Sequence, residues 1–212
     1  MIDNINGTAR TAWYCCGVRW ADAQKKAPIC GDHFAEIFMD EEARALFEPF
    51  ASLRMPNATS VTRTRIIDDW LRDRLLADPE QLVVILGAGF DARAFRLPGG
   101  RWAEMKSTLS ALSWAFPRHT LMIDLMSRRF AGSFGGKIRQ RLAAIGGHFA
   151  TDMPDDPRRT ILAQRYRQIA RVSMAWRARE LSAAPIPVFL LDTLLRPLRD
   201  GYCAHVFDAG GT

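Results

Sequence analysis

Lysine is scarce in this sequence: four residues among 29 basic side chains, so a net charge of +6 is carried almost wholly by arginine. The arginines are spread along the chain without forming a basic block, and no recognised nucleic-acid module sits beside them, so no nucleic-acid partner is expected. No segment approaches the run of about 20 apolar residues that a bilayer-crossing helix needs, and no membrane partner is expected. Met1 to Arg10 holds neither an apolar stretch flanked by basic residues nor a small-residue cleavage pattern, which predicts a cytoplasmic protein. Cysteine is limited to Cys15, Cys16, Cys30 and Cys203, with no C-x-x-C pair, so buried thiols are expected and no metal centre. Repeats and low-complexity stretches are absent too, which leaves a succession of ordinary helices, strands and turns.

What is present is a globular composition, 48% hydrophobic and 25% charged over 212 residues, enough for one domain. Residues 1–62 are expected to form a helical cap, with Trp13, Val18, Phe34, Ile37, Phe38 and Leu46 available for burial and a break at Pro28 and Gly31. Residues 63–212 are expected to form an α/β core. Ile66, Ile67, Trp70, Leu71 and Leu75 recur at three- and four-residue spacing, the stripe of a helix with one buried face. Leu82-Val83-Val84-Ile85-Leu86 is a continuous apolar run, as in a strand covered on both sides. Further strands are predicted at 102–105, 121–125, 168–174 and 202–207, with helices over 107–116 and around Ile138, Leu142 and Ile145. The alternation points to an α/β sheet of about five mostly parallel strands.

The segment with the most chemical content is Val83–Arg93, VVILGAGFDAR. A buried strand running straight into Gly87-Ala88-Gly89 lets the backbone turn sharply and approach a ligand at the carboxyl edge of the sheet. Ala92 stands where a complete dinucleotide fingerprint has its third glycine, so the glycine pair by itself is weak evidence. Two further features add to it. Glu104, at the end of the next predicted strand, can accept hydrogen bonds from ribose hydroxyls. Arg63 and Arg65, on the preceding amphipathic helix, can meet a carboxylate through paired N–H groups. Together these describe a site for S-adenosylmethionine; the plain alternative is a tight strand-to-helix turn, an exposed glutamate and two surface arginines.

Thr8-Ala9-Arg10-Thr11-Ala12-Trp13, RTRIIDDWL at 63–71 and VVILGAGFDARAFRLP at 83–98 resemble the opening of class I S-adenosylmethionine-dependent O-methyltransferases of the leucine carboxyl methyltransferase type. TLMIDLMSRRF at 120–130, RVSMAWRAREL at 171–181 and LRDGYCAHVFD at 198–208 are similar to the family's C-terminal part. The resemblance implies a Rossmann-like fold and S-adenosylmethionine as cofactor. It also implies a small-molecule acceptor methylated on carboxyl or hydroxyl, polyketides among them. Gly87, Gly89 and Asp91 would shape the amino-acid and ribose part of the site, Arg63 would hold the cofactor carboxylate and Glu104 its ribose. The middle departs from the family. Glu104-Met105-Lys106 replaces the usual Glu-x-Asp, and the third and fourth strands with their Asp-Leu and Glu-Gly motifs have no counterpart. The resemblance therefore implies a shortened sheet, in which a crossover through 107–116 sets strand 120–125 beside strand 82–86. A non-catalytic remnant acting through protein contacts is the alternative reading. No catalytic base is assigned, because His33, His119, His148 and His205 lie in no motif that places them near a methyl group, and the oligomeric state is left open.

Overall fold

The computed structural model describes residues 7–105, 116, 118–146, 155–164 and 166–209, with 7–9 and 102–105 described by backbone alone. They form two compact units, Met1–Met105 with Gly136–Phe149, and Lys106–Gly135 with Ala150–Thr212.

The first unit opens with α1 (Gly7–Ala23), a 3₁₀ turn (His33–Phe38), α2 (Glu41–Ala51) and α3 (Arg54–Ala77). Asp40 caps α2, its side chain accepting from Ala43 N–H at 2.8 Å. The break expected at Pro28 and Gly31 falls between α1 and the turn. That loop is held by Asp22, whose buried Oδ2 accepts the N–H groups of Ile29 at 2.9 Å and Cys30 at 2.8 Å. Burial pushes the Asp22 carboxyl up, but these bonds and Lys25 outweigh it and leave its pKa below the usual carboxylate value. Trp13, Val18, Met39, Phe47, Phe50 and Val61 form the core, joined by Ile138 and Leu142 of the helix Gly136–Ala144. Phe38 and Leu46 pack at its margin, whereas Ile37 is 73% exposed. The expected boundary at 62/63 falls inside α3, which runs unbroken across it. Ile66 and Leu75 are buried on α3 as the stripe requires, together with Asp68, which the stripe did not foretell.

Beyond α3, β1 (Leu82–Leu86) pairs in parallel with β2 (Arg101–Met105), joined through the one-turn helix α4 (Arg93–Arg96). The first strand is half-buried at its middle and open at its ends, with Leu82 44% and Leu86 37% exposed, so it is not the strand covered on both sides that its apolar run predicted.

The second unit is a separate sheet in the order β3 (His119–Met126), β5 (Tyr202–Ala209), β4 (Arg167–Ser173). Both outer strands run antiparallel to β5, and therefore parallel to one another. Here the sequence-based expectation is corrected. The strands lie where their apolar runs predicted them, but they do not make one sheet of about five mostly parallel strands, and β3 is not bonded to β1. Its eight residues are matched along their whole length by β5, His119 with Ala209 through Met126 with Tyr202. An apolar run such as LMIDL reports burial on two faces and is silent on which neighbour, in which direction, supplies the hydrogen bonds. The helix expected over 107–116 lies outside the described residues except for Phe116. No helix among the described residues is long and apolar enough to cross a membrane.

Candidate cofactor site

The loop after β1 is built as the glycine pattern required. Gly87 has φ of 61° and Gly89 of 54°, left-handed conformations that glycine adopts without the strain a side chain adds. A β-carbon on Gly87 would meet nothing within 4 Å, so open space lies over the backbone there, while one on Gly89 would sit 3.5 Å from the Ala12 side chain. The turn closes through Asp91 N–H to Ala88 C=O at 3.0 Å. Phe90 packs its ring between Trp13, centroid 4.3 Å away, and Phe38, at 5.0 Å.

Arg63 stands on α3, half-buried, with Nη2 3.8 Å from the Cys15 sulfur. Ala12 and Cys15 are three residues apart on α1 and share a face, so Arg63 and the glycine loop both lie against that face about one turn apart. Neighbouring Tyr14 donates to Asn57 Oδ1 at 3.2 Å; burial, and then Cys15, push its phenol well above the ordinary range against the pull of Arg63. Arg65, the second arginine of the expected pair, is taken up by Asp69 at 2.8 Å and by the Ile29 carbonyl at 3.2 Å. Glu104 lies opposite Ile85 on β2, at the same end of the small sheet as the glycine loop; its side chain and Lys106 lie outside the described residues.

Asp91 is already engaged. Its Oδ1 accepts Arg93 N–H at 2.9 Å and its Oδ2 pairs with Arg93 Nη1. From there a chain of ion pairs runs into the cap, which sequence reasoning missed. Arg93 Nε donates to Asp68 Oδ1 at 2.7 Å, Arg96 Nη1 to Asp68 Oδ2 at 2.6 Å, and Arg19 Nε to Asp32 Oδ2 at 2.8 Å. Arg96 Nε and Asp32 Oδ1 close the gap at 3.2 Å as an ion pair without hydrogen-bond alignment, which leaves both atoms formally unbonded. Arg19 Nη2 donates to the Phe90 carbonyl at 2.6 Å and so grips the loop backbone itself. Both Asp32 and Asp68 are 0% exposed. Burial opposes the charge on Arg96, and the carboxylates of Asp68 and Asp32 more than restore it, raising its pKa above the ordinary arginine value. One signal was visible in the sequence: a carboxylate inside an apolar helical stripe, IIDDW, calls for a buried cation, and Arg93 and Arg96 stand in the same motif as the glycines.

A parallel strand ending in left-handed glycines, with open space over the first and an arginine helix alongside, is the local architecture of a nucleotide-binding loop. Residues 12–108 match the leucine carboxyl methyltransferase family. Over 100 residues, 43% of this chain and 32% of the other, the sequence is 36% identical to a protein of Parafrankia sp. (strain EAN1pec) named as an S-adenosyl-L-methionine-dependent methyltransferase. The matched stretch thus spans about a third of that curated relative. Over residues 12–108 the chain is similar to the leucine carboxyl methyltransferase family, and that likeness implies S-adenosylmethionine as cofactor. The open space over Gly87 leaves room for a ligand to approach the loop backbone there.

Proposed function

We propose that the protein is an S-adenosylmethionine-dependent O-methyltransferase that methylates a carboxyl or hydroxyl group of a small-molecule acceptor, of the polyketide type among others. The observation that carries this reading is the Gly87–Gly89 loop, left-handed at both glycines and open over Gly87. Arg63 would take the cofactor carboxylate, Gly87, Gly89 and Asp91 would shape the site around the amino-acid and ribose portions, and Glu104 would accept from the ribose. When bound, the sulfonium supplies an activated methyl group. The protein's task is then alignment: Arg63 and the loop backbone orient the ligand, and an acceptor oxygen must be held in line with the methyl.

A second reading, a non-catalytic remnant acting through protein contacts, draws on β1. Among the described residues this strand hydrogen-bonds only to β2, and its terminal leucines are exposed. Calorimetric titration of the 212-residue chain with S-adenosylmethionine and S-adenosylhomocysteine separates the two. Saturable binding that is lost in folded Gly87→Asp supports the enzyme; no heat from folded wild-type chain leaves the remnant.

A further inference from the structure

Arg93 links the two elements of the proposed cofactor site, α3 and the end of the glycine loop. Its Nε bonds to Asp68 on α3, the helix that carries Arg63, and its Nη1 pairs with Asp91 at the end of the glycine loop. Asp68 is wholly buried, and Arg96 holds its other oxygen, so the α3 end of this bridge is fixed. A ligand grasped at its carboxylate by Arg63 and at its ribose by the loop needs those two elements at one separation. A rigid span that holds them at that separation before binding lowers the ordering that binding must otherwise supply. Resting on the cofactor site proposed above, we infer that Arg93 is a positioning residue that sets the distance between Arg63 and the glycine loop, so that it selects for nucleosides bearing the amino-acid arm. The guanidinium suits the task because its planar fork reaches two carboxylates at once, which a lysine ammonium on a single stem does not reproduce.

The test uses two probes on the full chain, S-adenosylhomocysteine, which spans both elements, and 5′-methylthioadenosine, which lacks the amino-acid arm. Arg93→Lys, and Arg93→Gln as a second cut of the same bridge, are compared with wild type by calorimetry after circular dichroism confirms folding. The expected result is a loss of about tenfold or more in affinity for S-adenosylhomocysteine with less than about twofold for 5′-methylthioadenosine. In an Arg63→Ala background, Arg93→Lys should change S-adenosylhomocysteine affinity by less than about twofold, because the contact it positions is already gone. Equal losses for both probes, or an undiminished loss in the Arg63→Ala background, would overturn the inference and mark Arg93 as structural support alone. Failure of the wild-type chain to bind either probe overturns the cofactor site itself, a result distinct from both.

Discussion

His205 makes the second unit sensitive to mild acid. It lies in the middle of β5, between Ile123 and Arg171 on the flanking strands, and is 2% exposed. Its ring stacks on Phe207 at 5.6 Å, and Nδ1 lies 3.3 Å from Gln168 Oε1. Burial first, then the positive charges of Arg171 and Arg158, lower its pKa from 6.5 to about 4 against the weaker pull of Asp156 and Asp124. Between those values the unfolded chain binds a proton that the native fold refuses, so stability falls as the pH falls. At about 1.4 kcal/mol per pH unit the whole displacement is worth about 3 kcal/mol, lost from about pH 6.5 downward and fully gone below about pH 4. That is a sizeable part of the 5–15 kcal/mol, roughly, that holds an ordinary domain together. Urea unfolding followed by circular dichroism between about pH 7 and about pH 4.5 should show this slope in the wild type and a flatter one in His205→Gln, whatever that variant's stability at neutral pH. Identical slopes in the two proteins, or a wild type whose stability stays level across the window, would refute the reasoning.

Gly17→Ala tests the α1–α2 contact. Alanine improves helix propensity by about 1 kcal/mol, but its β-carbon would lie 2.4 Å from Cγ of the buried Phe47. A net loss of about 2 kcal/mol is expected, partly recovered by Phe47→Leu in the same chain; a thermal melt showing Gly17→Ala more stable than wild type would contradict the packing. The cysteines should differ in reactivity. Burial pushes the Cys16 thiol up to about 11 and the Cys30 thiol up to about 12, and raises Cys203 as well, whereas Cys15 is half-buried. Maleimide labelling with peptide mapping at about pH 8 should find Cys15 modified first and the other three only after denaturation; Cys30 labelled as fast as Cys15 would count against the fold of that loop.

The strands were legible in the sequence because their signals are local. LVVIL, HTLMIDLM and YCAHVFDA are apolar runs, and each forms a strand at or within a few residues of the expected bounds. Sheet order was not, since β5 owes its central place to two antiparallel ladders with partners far away in the chain, a matter of pairing direction that side-chain burial does not encode. β1 and β5 show the difference: β1 is apolar throughout and β5 carries His205 and Asp208, yet β5 is buried over its first six residues and β1 at neither end. In the candidate site the glycines could be foreseen, because left-handed backbone leaves few other choices. The link between Asp32 and Arg96 could not be, since they stand far apart in the chain with no periodicity to connect them.

The ion pairs that join Arg19, Asp32, Asp68, Asp91, Arg93 and Arg96 also decide how this part of the molecule can come apart. Peeling the loop from the cap would strand Asp68 and Asp32 without their cations in a protein interior, a far costlier event than the fraying of a surface turn. Small independent openings of residues 87–96 are thereby suppressed, and the loop is released when α1 and α3 loosen with it, as one cooperative element. A segment poised at the surface, with exposed glycines and a one-turn helix, thus takes its lifetime from the helical core beneath it.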